Sequence, residues 1–159
     1  MSARAHALVG LALATGIVGG VFFAFSSFVM PALARVPAST AAASMRSINV
    51  TAVNPIFMTL LFGAGLAGVV LNLGSIGTLD DRGARWALAG TVVYVLGALV
   101  VTMVANVPRN EALAAMSADE AAAYWPRYLA EWTSYNHVRA VASILASACF
   151  VLARSSVDG

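Results

Sequence analysis

Trp132, Asn136, His137 and Arg139 stand together at the opening of the last strongly hydrophobic segment of the chain, preceded by Trp125 and Tyr128. An ionisable group near the apolar core of a bilayer protein is costly to keep and is a functional suspect for that reason. An imidazole two residues from a guanidinium suits proton abstraction: His137 can take a proton as general base, and Arg139 can hold the oxyanion that remains. Each residue also has a plainer reading. His137 can be an interfacial histidine bonded to a neighbour, and Arg139 can snorkel to the headgroups.

Five asparagines add neutral hydrogen-bonding groups: Asn49, Asn54, Asn106, Asn110 and Asn136. A buried amide must satisfy two donors and an acceptor, and helix capping is one way to do so. Capping suits Asn54, which directly precedes Pro55. The other asparagines are expected to donate to a substrate carbonyl or enolate oxygen, with Asn106 and Asn136 beside His137 and Arg139 in the chemistry. Thr102 and Asn106 are four residues apart and share a helix face. Trp125, Tyr128, Trp132 and Tyr135 form either an interfacial aromatic belt or the wall of a pocket for a flat ligand. Trp125 is assigned to the belt and Trp132 to the wall, with Tyr128 beside it. Asn49, Asn54, Asn110, Thr102, Trp132 and Tyr128 are thus the expected substrate contacts.

A conventional metal centre draws on several His, Cys or carboxylate ligands. His6, the second histidine, precedes a helix of about 24 residues at 1.5 Å each and cannot reach His137 within one chain. A metal at His137 would need amides, a carboxylate such as Glu131, or the substrate itself, and chemistry with no cofactor is equally compatible. Cys149 is the sole cysteine, which excludes an intramolecular disulfide.

These groups sit in a chain of 159 residues that is 60% hydrophobic and only 10% charged, with a mean hydropathy of +0.85. Soluble proteins carry about a quarter charged residues, so the composition indicates an integral membrane protein. All nine basic residues are arginine, scattered at a net charge of +2, and no nucleic-acid surface is indicated.

Four apolar segments, about 7–30, 55–77, 86–106 and 133–153, are each long enough to cross a core of ~30 Å. They predict an all-α, up-down four-helix membrane bundle over residues 1–159. The first segment is too long for a signal-peptide core and reads as a retained span. Pro31 is expected to stop span one, and Pro108 to stop span three near Asn106. Asn54-Pro55 should open span two, unless a longer helix from about Ser39 kinks at Pro55. Asp80–Gly83 should form a short turn. Ser117 and Glu120 form a capping box for a helix that Pro126 kinks or restarts. Small residues at Ala12, Gly16, Gly20 and Ala24 suit close helix packing, within the bundle or in a homo-oligomer.

Up-down connectivity brings the end of span one, the start of two, the end of three and the start of four to one face. That face receives the two long loops and the whole polar cluster. The other receives both termini and the short turn, with Arg4, Arg82, Arg85 and Arg154. Arginines near short loops favour the cytoplasmic side, so both termini are expected there, in a bacterial inner membrane.

Five stretches carry a further resemblance: Phe23–Leu33, Met45–Asn49, Asn54–Phe57, Asn106–Asn110 and Trp132–Arg139. In this order and over nearly the whole chain they resemble the anthrone oxygenase-like family of small membrane proteins. Position 135, often tryptophan in that pattern, is Tyr135 here. The resemblance implies a four-helix membrane bundle and the oxidation of a lipophilic anthrone, phenol or quinol by molecular oxygen. It implies roles for Asn54, Asn106, Asn110, Trp132, Asn136, His137 and Arg139. The competing expectation is a non-catalytic membrane protein whose polar cluster holds a lipid or quinone, or only locks helices together. A sealed, fully bonded cluster would favour the latter, and a pocket with unpaired groups the former.

Overall fold

The computed structural model describes residues 2–74 and 81–156, and these form five helices and no strand. We number them α1 (Ala3–Leu33), α2 (Ala38–Ala52), α3 (Pro55–Leu73), α4 (Arg82–Ala115) and α5 (Ala118–Ser155). All but α2 are long and apolar enough to cross a membrane. The start of α1, the start of α4 and the end of α5 meet at one end, where Arg4 lies 3.5 Å from Asp81 and Gly83 packs on Ala153 and Ser156. Asn72 of α3 closes the same end, donating to Thr91 of α4 at 2.8 Å. This is the expected up-down bundle.

The helix ends follow local chemistry. Asp81 accepts from Gly83 and Ala84 to cap α4, Asn54 accepts from Phe57 to cap α3, and Ser117 and Glu120 form the capping box of α5. Asp80, expected in the turn, and residues 75–77 of span two lie outside the described residues. Of the two readings of the α2–α3 junction, separate helices are found, broken at Val53 and Asn54.

Two prolines correct the expected boundaries. Pro31 does not end α1 and Pro108 does not end α4, while Pro126, expected to kink or restart a helix, lies inside a single helix of 38 residues and restarts none. A proline in a helix removes one hydrogen bond and crowds the carbonyl four residues back. Here the chain widens just before two of them. Phe25–Val29 and Thr102–Asn106 are π-helical, and the N–H of Met30 and of Val107 donates five residues back, to Phe25 and Thr102. The extra residue in each turn makes room for the ring that follows, and such π segments are frequent at functional sites.

At 1.5 Å per residue, α4 and α5 are about 51 and 57 Å long, well beyond an apolar core of ~30 Å. Their excess stands above the bundle, and α2 lies against it. Ala41, Ala42 and Met45 of α2 pack with Leu113, Ala121, Trp125, Tyr128 and Trp132. Arg46 ties α2 to the α4–α5 turn by donating to the carbonyls of Leu113 (2.8 Å) and Met116. Cationic donors suit the free carbonyls at a helix C-terminus. The long loops of the sequence reading are therefore a three-helix cap. Trp125, assigned to a membrane belt, is buried inside it.

Within the bundle α5 is central and packs most extensively on α1, then on α4. Gly19 sits directly on Ser143 and Ile144, while Gly20 of the expected stripe faces outward with nothing near. Gly97 of α4 is pressed on Ala142 so closely that any β-carbon would overlap it. Gly97→Ala is therefore expected to cost about 1–3 kcal/mol through overpacking. Gly20→Ala should leave stability unchanged. Thermal unfolding of the detergent-solubilised variants checks the pair, and equal midpoints would contradict this helix contact.

Candidate functional site

Two of the three π segments, Phe25–Val29 and Thr102–Asn106 (the third is Val95–Val100), and the middle of α5 converge on Arg139. Its side chain is buried, at 5% exposure. Nη2 donates to Asn136 Oδ1 at 2.8 Å and Nη1 to Thr102 Oγ1 at 3.3 Å. The guanidinium lies over the rings of Phe22 (4.3 Å) and Trp132 (5.0 Å). Nε has no partner, and among the described residues no carboxylate pairs with this cation. Burying an ion costs several kcal/mol even after relaxation. Ring faces and neutral acceptors offset part of that cost. They leave a net positive charge in an apolar setting.

Asn136 is the hinge of this arrangement. Its Nδ2 donates to the Phe22 carbonyl and to Ser26 Oγ, both at 2.7 Å, and its Oδ1 holds Arg139. The amide is saturated by protein, so Asn136 positions the guanidinium. Asn106 is equally buried, with Nδ2 donating to the Trp132 carbonyl at 3.2 Å and Oδ1 unpaired. Asn110 Oδ1 accepts from Tyr128 (2.8 Å) and from Trp132 Nε1 (2.9 Å), and Asn49 donates to Tyr128 at 3.4 Å. Tyr128 stacks between Trp125 and Trp132, with centroids 5.5 and 6.3 Å away. The cap thus holds the indole of Trp132 in place by both stacking and hydrogen bonding.

Beside Arg139 is a cavity of about 160 Å³. Its wall includes Phe22, Phe25, Ile48, Phe57, Leu61 and Trp132. The polar groups on it are Asn49, Thr102, Asn110 and Arg139. A cavity of ~150 Å³ takes one benzene ring. The wall carries no carboxylate and no imidazole. Its polar groups are amides, one hydroxyl and a guanidinium, all of which can hydrogen-bond an oxygen. Among the described residues no three His, Cys, Asp or Glu side chains gather into a ligand set.

Sequence reasoning placed Asn49, Thr102, Asn110, Trp132 and Arg139 together, and they do line one cavity. Asn106, Asn136 and Tyr128 stand behind the wall, bonded to residues in it. Two expectations are not met. Asn54 is exposed and caps α3, away from the cavity. His137 is exposed on the outer surface, in an apolar groove between α4 and α5 lined by Val92, Leu96, Val138, Val141 and Leu145. The reason is helical phase: Asn136 and Arg139, three residues apart, share the inward face, and His137 between them points outward. Glu131, considered as a metal ligand, pairs with Arg109 (2.9 Å) and Arg127 (2.7 Å). Phe22, Ser26 and Phe57 were missed. Ser26, a hydroxyl in an apolar run ahead of Pro31, was the available signal.

Asn136→Ala should cost about 1–3 kcal/mol, because the buried cation then loses its shortest acceptor. Asn136→Ala/Arg139→Leu should cost less than the sum of its single variants, since no charge is left to satisfy. Additive losses in thermal unfolding would show that the two side chains act independently.

A model of the anthrone oxygenase family matches residues 51–149. No curated protein and no solved structure matches the chain.

Proposed function

The chain belongs to the anthrone oxygenase family, and we propose that it oxidises a lipophilic aromatic anthrone, phenol or quinol with molecular oxygen, using Arg139 to stabilise the substrate oxyanion. The observation that carries this reading is a buried guanidinium, unpaired with any carboxylate, at an aromatic cavity the size of one ring. An enolate or phenolate oxygen supplies the missing negative charge, and the flanking rings of Phe22, Phe25, Phe57 and Trp132 take one ring of the flat carbon skeleton, the rest of a larger ligand extending toward the open side of the cavity.

Arg139 acts on the proton equilibrium of the ligand. A cation within hydrogen-bonding reach favours the ionised form of an acid and lowers its pKa. In a low-dielectric site this effect is larger than in water. The bound anthrone therefore ionises to its electron-rich enolate by giving its proton to water, with no carboxylate or imidazole in the wall to take it. Thr102 and Asn136 keep the guanidinium aimed, and Asn110 offers an amide nitrogen at the rim. The enolate carbon then reacts with dioxygen. For an anthrone methylene the balance is CH2 + O2 → C=O + H2O: one oxygen atom becomes the new carbonyl, the other leaves as water, and the carbon supplies all the electrons. His137, outside the cavity, is assigned no part in these steps.

A non-catalytic reading keeps the same cavity and the same ligand chemistry, and the bare wall, with no acid or base, favours it. There the protein binds a phenolate or quinone and does not turn it over. Oxygen uptake with anthrones and quinols separates the two. Arg139→Met is expected to lower the rate about 10²–10³-fold, the range for removing one oxyanion donor. Arg139→Lys, which keeps charge but loses the planar fork, should give a partial defect. His137→Ala should retain wild-type activity. If Arg139 stabilises the anion, its loss also moves the rise of rate with pH to higher pH, because the bound substrate then ionises later. Full activity in folded Arg139→Met protein would end the oxyanion proposal, and ligand binding with no oxygen uptake in the wild type would leave the binding reading.

A further inference from the structure

The cavity does not end at α2. Val21, Phe25, Ile48, Ala52 and Phe57 line it and also line a second space of about 400 Å³ on the outside of the molecule, between α1, α2 and α3. These side chains are therefore the partition between an inner site and an outer groove. The outer groove adds Ser47, Thr51 and Asn54 to its wall. Val50 and Ile56, which flank it in the chain, are apolar and 77% exposed each, and Val53, which lines the cavity at its mouth, is 71% exposed. Such exposure is stable in lipid and costly in water. The partition is wholly apolar, and only Ala52 in it is small; among the described residues no side-chain hydrogen bond fastens Val21 or Phe25 of α1 to Ile48 or Ala52 of α2. The α2–α3 junction, Val53–Asn54, is the break between two helices, a place where a small rotation is inexpensive. The groove between α4 and α5 that holds His137 is larger, about 590 Å³, yet shares no wall residue with the cavity.

We infer that the groove between α1, α2 and α3 is a lateral portal through which a lipophilic phenol passes from the bilayer to Arg139. The inference rests on reading the cavity as the substrate site. It adds a direction: the ligand partitions into lipid first and enters sideways past Phe25, Ile48 and Phe57. The oxygen-bearing ring goes in first, because the cation lies inside and the groove offers only neutral side chains, most of them apolar. α2 is then the movable wall of the portal, held at its far side by Arg46 on the α4–α5 turn.

A portal differs from a binding site in kinetics. A barrier shared by entry and exit slows both and cancels from the equilibrium constant. The test is stopped-flow binding of 4-nitrophenol to the full-length protein in lipid nanodiscs, followed by quenching of tryptophan fluorescence, to which Trp132 in the wall responds. Ser47→Phe/Thr51→Phe narrows the groove at residues that do not line the cavity. It should slow association and dissociation by about tenfold each and leave Kd within about twofold of wild type. Val141→Phe/Leu145→Phe, in the groove beside His137, should change neither rate. Unchanged rates in the first variant, or slowing in the second, would overturn the portal. A weakened Kd with an unchanged association rate would make the groove part of the bound site and would overturn it too. Absence of any binding by the wild type would remove the cavity reading and the portal with it. Binding at these rates without oxygen uptake from any substrate would remove only the catalytic reading.

Discussion

A cation that pairs with no carboxylate among the described residues, buried inside a membrane protein, is the constraint around which the rest is arranged. Arg139 cannot leave the interior, because Asn136 and Thr102 hold its two terminal nitrogens and two aromatic faces enclose it. In a low-dielectric setting such a charge is expensive. Three devices keep the cost tolerable. Asn136 is locked to α1 through Phe22 and Ser26, so its acceptor oxygen is already oriented. Thr102 is brought to face α5 from a π-helical turn of α4. Phe22 and Trp132 supply the negative faces of their rings. What remains unbalanced is the charge itself, at the wall of the cavity.

The prolines serve the same end. A straight α1 or α4 would stop or kink at Pro31 or Pro108, and both instead run on through a widened turn. Widening rotates the residues that follow relative to those before. It sets Phe25 and Ser26 in α1, and Thr102 and Asn106 in α4, around the face of α5 that carries Asn136 and Arg139. The helices continue past the membrane core, and their excess gives α2 a surface to pack on. The cap then fixes Trp132 through Asn110 and the Trp125–Tyr128 stack. Site and cap are one mechanical unit, since Trp132 belongs to both.

The close contacts on small residues read as bundle construction. Gly16 and Gly19 lie against Ser147 and Ser143 of α5, and Gly97 lies against Ala142. Without a hydrophobic force between helices in lipid, such contacts carry the association. α5 meets α1 and α4 on different faces, and its remaining face, which includes His137, Val138, Val141, Ile144, Leu145, Val151 and Leu152, is exposed.

Class, span number and topology were determined by sequence alone, because an apolar run of about 20 residues has few other places to go. The caps at Asn54 and Ser117 were legible for a similar reason: a side-chain oxygen ahead of a helix has a local partner. The gathering of Asn49, Thr102, Asn110, Trp132 and Arg139 followed from up-down connectivity, which sets depth. Connectivity does not set azimuth. Whether His137 or Arg139 faces inward depends on the phase of a helix whose outer and inner faces are both apolar, and hydropathy gives no phase there. Only packing decided it, by placing Asn136 against α1 and turning His137 out. The prolines misled for a related reason. Their local effect is to end helices, while neighbouring helices and a π turn, both tertiary facts, let α1 and α4 pass through Pro31 and Pro108.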